Sequence, residues 1–206
     1  MKHSRPLTRI QQKNTATILK AALDVFSQNG FRGSTLDQIA KKSGLSKPNL
    51  LYYFDSKESI HIKLLSELMD VWLAPLRALD ERGDPIEEFV GYVLRKLEMA
   101  REYPRESRLF ANEIVQGAPR IIDQIEGELR SLVKEKAVVL QSWIDAGKIV
   151  SLDPVHLIFS VWATTQHYAD FDIQVRTILQ PEQETHFIDA AEFLERFYRH
   201  ALTPVK

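Results

Sequence analysis

Between Ser46 and Lys57 the chain concentrates groups suited to an anionic partner: Ser46, Lys47, Pro48 and Asn49 in one short run, then Tyr52 and Tyr53, then Lys57. Ammonium groups and phenolic hydroxyls both donate to phosphate oxygens, and ring edges can pack against sugars or thymine methyls. Thr35 offers a further hydroxyl upstream. A second set of residues carries different chemistry. Gln166 falls in the helically spaced stripe Ile158, Phe159, Trp162, Gln166, Ala169, which makes it an amide on an apolar face. Left unpaired in a core it would cost ~1–3 kcal/mol, so it needs a partner. Its carbonyl and amino group could pair with a ligand edge that alternates donor and acceptor. Trp72, followed by Leu73, or Trp162 would supply a flat wall, and Lys96, near the stripe Phe89, Val93, Leu97 and Ala100, a donor to a ring carbonyl. The same residues also suit plain architecture. A stripe glutamine can bond a neighbouring backbone, a lysine can snorkel or pair with a carboxylate such as Glu113, and tryptophans can be core. Spacing alone leaves both readings open.

The 206 residues suit one large domain or two small ones. With no cysteine, a disulfide framework, a thiolate metal site and a cysteine nucleophile are all excluded. No apolar run approaches the ~18 residues of a membrane span, and Met1-Lys2-His3-Ser4-Arg5-Pro6 leads into polar sequence, so a cytoplasmic protein without membrane partner is expected. The net charge of -1 conceals an asymmetry: residues 1–60 hold ten basic and four acidic side chains, the remainder seventeen and twenty-four. A basic head on an acidic body directs a polyanion to the head.

The elements that must position these groups read as an all-α fold of about nine helices. In the head, a helix from about Lys13 to Gln28 is stopped at Asn29-Gly30. A short one is capped by Ser34 or Thr35 and stopped by Gly44, and a third is capped by Ser46 with Pro48 in its first turn. Ser56 caps a longer helix towards Pro75. Asp84-Pro85, Pro104, Pro119, Asp153-Pro154 and Pro181 punctuate the rest, the last two helices spanning roughly 154–178 and 182–201. The expected division is a head at 1–56 and a body at 57–206.

Two short helices joined at Gly44 form a helix-turn-helix pattern, whose second helix would enter a major groove N-terminal end first. An ordinary three-helix subdomain would show the same spacing. The run Phe26, Gly30, Thr35, Ile39, Ala40, Gly44, Ser46-Lys47, Leu50, Tyr52-Tyr53-Phe54 and Ser56-Lys57-Glu58 strongly resembles the DNA-binding head of the TetR family of bacterial regulators. That resemblance implies contacts to double-stranded operator DNA from Thr35, Lys47, Asn49, Leu51, Tyr52, Tyr53 and Lys57. It departs from the family at Leu51, often a tyrosine there, and Asp37 brings a carboxylate that can only accept. The basic arm Lys2-His3-Ser4-Arg5 with Arg9 would either follow a neighbouring groove or act as a solubilising tail.

In the body, Val71-Trp72-Leu73-Ala74-Pro75-Leu76, Lys96-Leu97-Glu98, Tyr103-Pro104, Ser107-Arg108-Leu109-Phe110 and the segment Trp162 to Phe171 resemble the pyrimidine-utilisation repressors within that family. The resemblance implies a small planar effector such as uracil, thymine or a related base, held by residues of the set Trp72, Leu73, Lys96, Trp162 and Gln166, which lowers DNA affinity. It also implies a homodimer through the last two helices, where Phe159, Val161, Ile173, Ile178, Phe187, Ala190, Ala191, Leu194, Phe197 and Tyr198 offer more apolar surface than one helical face uses. The expected function is a ligand-relieved transcriptional repressor of pyrimidine catabolism. The alternative is a ligand-independent DNA-organising or protein-interaction factor whose body is only a dimer scaffold. No cofactor, metal site or enzyme activity is expected: His167 and Asp170 share a helical face, but no third ligand has motif spacing, and no phosphate loop or nucleophile elbow is present.

Overall fold

Thr8 begins the described part of the chain: a computed structural model describes residues 8–204, so the arm Lys2–Arg5 lies outside the described residues. Among these residues every regular element is helical. Two compact units divide between Leu68 and Met69. That border lies inside a helix, later than the expected 56/57, because the first turns of that helix carry Ile60 and His61 into the head's interior.

The head holds α1 (Arg9–Gly33), α2 (Leu36–Ser43), α3 (Lys47–Tyr53) and the first part of α4 (Lys57–Arg77). Helix α1 starts earlier than its apolar stripe suggests because Thr8 caps it: the Thr8 hydroxyl accepts from the Gln11 backbone, and the Gln11 side chain accepts from the Thr8 backbone. Gly30 leaves helical geometry at φ 66°, and one further turn follows it. Of the two possible caps for α2, Thr35 takes the role in a capping box with Gln38, while Ser34 turns inward and donates to the Gly30 carbonyl at 2.6 Å. Gly44 at φ 72° closes α2 in the left-handed conformation that lets the chain turn directly into α3. Ser46 caps α3, and Ser56 and Ser59 cap α4 reciprocally. The His61 ring stands edge-on to Phe26 and Phe31, each at 4.8 Å.

The body holds the rest of α4, then α5 (Pro85–Glu102), α6 (Pro104–Val115), α7 (Ile122–Gln124), α8 (Arg130–Asp145), α9 (Pro154–Asp170), α10 (Asp172–Leu179) and α11 (Thr185–Leu202). A π-helical turn at Ile125–Leu129 joins α7 to α8 in one rod. Asp84 and Asp153 cap α5 and α9 as their Asp-Pro pairs indicate. Counting that rod once gives ten helices among the described residues. The excess over nine comes from Phe171, whose φ of -114° breaks the expected 154–178 helix without any proline or glycine to announce it. Helix α5 supplies the centre of the core: Phe89, Val93 and Leu97 pack in one cluster with Leu140, Ile158, Val161, Leu194 and Tyr198. The loop before α5 is tied down by the Trp143 indole and the Lys136 ammonium, which donate to the Glu81 and Leu79 carbonyls.

The surface assigned to pairing needs revision. Val161, Phe187, Ala190, Leu194 and Tyr198 belong to this core, so they are unavailable to a partner. Ile173, Ile178 and Phe197 do remain exposed, joined by Ile188 and Phe193.

Glu113 is buried and does not meet Lys96. It binds Arg120 twice, accepting from the backbone N–H and from the guanidinium, both at 2.9 Å. This pair holds the loop in which Gly117 and Ala118 both take positive φ, and it delays the helix expected from Pro119 until Ile122. Removing one partner of a buried ion pair strands the other charge. Glu113→Ala is therefore expected to lower unfolding free energy by ~3 kcal/mol in urea titration. A change below ~1 kcal/mol would show that the pair is not holding the loop.

Candidate nucleic-acid interface and apolar cavity

At ~100° per residue, the seven residues of α3 fall on four lines. Leu50 points inward and is fully buried. Lys47 with Leu51, Pro48 with Tyr52, and Asn49 with Tyr53 occupy the other three, all exposed except half-buried Tyr53. Tyr52 is 71% exposed, and its ring stands edge-on to Tyr53 at 5.1 Å. Six of the seven expected contact residues thus lie on or beside the exposed side of the helix pair. Leu51 can offer only apolar packing.

Three of the polar groups have partners within the head. The Lys47 ammonium pairs with Asp37 across the turn at 2.9 Å, both side chains well exposed. The Thr35 hydroxyl accepts from the Gln38 backbone and donates to the Gln38 side-chain oxygen. Lys57 reaches back to α1: its ammonium donates to the carbonyls of Phe31 at 2.7 Å and Ser34 at 2.6 Å, and lies 4.4 Å from the Phe31 ring centre. Two of its three donors are occupied in this way, so Lys57 acts first as a latch between α1, the α2 cap and α4. Spacing could not reveal that latch, which spans more than twenty residues of sequence.

On the other side of α3, α1 delivers two side-chain amides to the tyrosines. Gln11 donates to the Tyr52 hydroxyl at 3.3 Å, and Asn14 to that of Tyr53 at 2.7 Å.

Within the body, a cavity of ≈ 650 Å³ lies among α6, the π turn, α8 and α9. Its wall is mostly apolar, with Phe110, Ile114, Leu129, Val133, Phe159 and Trp162, and Gln166 and Asp170 contribute the polar end on α9. Arg130 and Lys134 of α8 also border it. Of the five residues expected to hold a ligand, Trp162 and Gln166 line this cavity. The indole N–H of Trp162 donates to the Tyr92 hydroxyl at 2.7 Å, which fixes the plane of its ring. Gln166 makes no hydrogen bond to protein among the described residues, unlike a glutamine that serves a neighbouring backbone.

Trp72, Leu73 and Lys96 are not in the wall. They are buried behind it, with Trp72 stacked on Phe110 at 6.1 Å. Helical periodicity placed Lys96 near an inward stripe, but it could not say which inward faces meet an open space. Asp170 was missed as a wall residue, although its i+4 relation to Gln166 puts both on one face. Its carboxylate accepts from the Ser107 hydroxyl at 2.6 Å, and desolvation by burial pushes its pKa up against the opposing pull of that bond and of nearby Arg108, His167 and Lys96. His167 instead stacks on Phe171 at 5.0 Å.

Lys96 is 3% exposed and has no hydrogen bond or ion pair among the described residues; its ammonium stands 5.8 Å from the Trp72 ring centre. Desolvation lowers its pKa from 10.5 to about 7, only partly offset by Asp170.

Two predictions follow from these geometries. Asp37→Asn removes the exposed partner of Lys47, a pair worth ~0–1 kcal/mol, so non-specific DNA binding should tighten ~2–5-fold with a steeper salt slope. Equal slopes and affinities in anisotropy titrations would show that Lys47 does not face DNA. For Lys96 the sign is set by linkage: between about 7 and 10.5 the unfolded chain holds a proton that the native state lacks. Stability should therefore rise with pH through that window, while below it the cost of a charged buried amine is fully present. Lys96→Met should raise the melting temperature at pH 7 and flatten that rise. An unchanged pH profile would contradict the burial of the amine.

Known proteins resemble both parts of the chain. Residues 18–63 match the family model described as bacterial regulatory proteins, tetR family, and residues 65–205 match the model described as YcdC-like protein, C-terminal region. The HTH-type transcriptional regulator RutR of Escherichia coli O157:H7 is 46% identical over 189 residues, covering 91% of this chain and 89% of that protein. The biofilm operon icaADBC negative transcriptional regulator IcaR of Staphylococcus aureus strain Newman is 48% identical over only 44 residues, 21% of this chain and 24% of the relative. Among solved structures, the ketosteroid transcriptional regulator KstR2 of Mycobacterium tuberculosis has a TM-score of 0.71 at 21% identity, covering 97% of this chain and 98% of that one. At such identity the likeness speaks of fold alone.

Proposed function

The chain belongs to the TetR family of bacterial regulatory proteins, and on that premise we propose that it represses genes of pyrimidine catabolism and is released from its operator by uracil, thymine or a related planar base. The observation that carries the effector reading is the polar end of the cavity. Gln166 presents an unpartnered amide and Asp170 a carboxylate, four residues apart on one face of α9, at the edge of an apolar wall. An imide ring shows carbonyl, N–H and carbonyl in sequence. Gln166 can donate to one carbonyl, Asp170 can accept the N–H, and the Trp162 ring can cover the flat face. Lys96 acts from behind the wall, through the charge it shares with Asp170.

The regulator works as a homodimer, because one small head reads too little sequence and two heads must meet successive major grooves about 34–36 Å apart. Ile173, Ile178, Ile188, Phe193 and Phe197 supply the pairing surface on α10 and α11. Effector in the cavity presses on Phe110, which stacks on Trp72 of α4, and α4 contributes residues to both units. A ligand can shift the equilibrium only by its differential affinity for the two states, and ~1.4 kcal/mol already changes operator affinity tenfold.

Uracil or thymine at ~100 times its dissociation constant should stabilise the fold by ~2.7 kcal/mol, a rise of ~5–10 °C in melting temperature, and should weaken operator binding in a gel-shift series. Gln166→Leu should abolish both responses while leaving operator binding without effector intact. If neither base moves the melting temperature or the shifted band, the effector assignment fails and DNA binding stands.

A further inference from the structure

We propose that the first two turns of α1 set the direction of the tyrosine hydroxyls on α3, so that Gln11 and Asn14 make Tyr52 and Tyr53 obligate donors towards the phosphate backbone. The proposal rests on the reading of those tyrosines as DNA contacts.

The argument begins at the helix cap. A backbone N–H can only donate, so the Gln11 side-chain atom that meets the Thr8 N–H at 2.9 Å must be its carbonyl oxygen. The amide is thereby oriented, and its amino group is the end that faces the Tyr52 hydroxyl at 3.3 Å. An amino group is a donor only, so the phenol oxygen accepts and its own proton is directed elsewhere. Asn14, one turn along α1, directs its amino group at Tyr53, 2.7 Å from the phenol oxygen. The two rings stand edge-on at 88°. A phenol that accepts from an amide is also a stronger donor, because hydrogen bonds in a chain polarise one another.

Phosphate oxygens only accept. A tyrosine free to rotate could spend its proton on a protein acceptor, whereas one already accepting from an amide has its proton available for DNA. Gln11 and Asn14 are thus positioning residues. They need not touch DNA, and their effect passes through the tyrosines.

The test is a pair of double-mutant cycles on a 30-base-pair duplex selected by the wild-type chain from a random library, read by fluorescence anisotropy. Gln11→Glu keeps the cap, since glutamate serves a capping box as well as glutamine, but it replaces the donor with an acceptor that takes the phenol proton. Gln11→Glu should weaken binding ~5–20-fold in the Tyr52 protein and distinctly less in the Tyr52→Phe background. The remainder there measures simple charge repulsion. Asn14→Leu should weaken binding ~3-fold alone and add nothing to Tyr53→Phe. Because no cation is removed by Asn14→Leu, its salt slope should equal that of wild type. Melting curves taken alongside should show the Asn14→Leu head still folded at the assay temperature.

Additive effects in both cycles would overturn the proposal while leaving the tyrosines as DNA contacts. Unaltered binding by Tyr52→Phe and Tyr53→Phe would be a different failure: it would remove those hydroxyls from the interface altogether.

Discussion

Helix α5 turns buried side chains towards several neighbours at once, and because Phe89, Val93 and Leu97 are shared with α9 and α11, those helices cannot move without opening the core. Interiors are close-packed, so a shift of any one helix leaves a void that the others must fill or tolerate. This shared wall gives the cavity its rigid side. Trp162 is held there by a hydrogen bond to Tyr92 of α5, and Ser160 and Thr164 meet the Tyr198 hydroxyl of α11, each at 3.0 Å. The other side of the cavity is built differently. Helix α6 ends in a loop with two consecutive positive φ angles, and the facing rod contains a π-helical turn, a distortion common where helices serve a site.

Polar chemistry in the body collects at one end of α9. Gln166, Asp170, Ser107 and Lys96 bring an amide, a carboxylate, a hydroxyl and an amine into or beside an apolar space. Desolvation drives the carboxylate and the amine each towards its neutral form, with Asp170 raised and Lys96 lowered to about 7. Opposed shifts beside a concave site mark it as a candidate functional site. The Glu113–Arg120 pair is the contrasting case, in which a buried carboxylate takes two hydrogen bonds from a residue of the same loop and serves architecture.

The head uses its polar groups to aim other polar groups. Lys57 is committed to two carbonyls, Lys47 shares its charge with Asp37, and the tyrosines take amides from α1. Net positive charge draws the polyanion to this unit, whereas the direction of each donor decides what it can hold there. The Asp37–Lys47 pair is exposed enough for phosphate to displace it, while Lys57 would have to break two short bonds to turn outward.

What the sequence determined by itself was everything governed by local rules: the all-helical class, the caps at Ser46, Ser56, Asp84 and Asp153, the left-handed glycine at Gly44, the helix-turn-helix, and the inward face of α5. Caps and amphipathic stripes act within a few residues, so their signals survive in one dimension. Tertiary structure decided the rest. It chose Thr35 over Ser34 as a cap, split α9 from α10 at Phe171, paired Glu113 with Arg120 instead of Lys96, and drew half of the expected pairing surface into the core. It also placed Trp162 and Gln166 in the cavity wall with Asp170, but Trp72, Leu73 and Lys96 behind it. A hydrophobic stripe states that a face is covered. Only the packing of several helices determines whether the cover is another side chain or an open space.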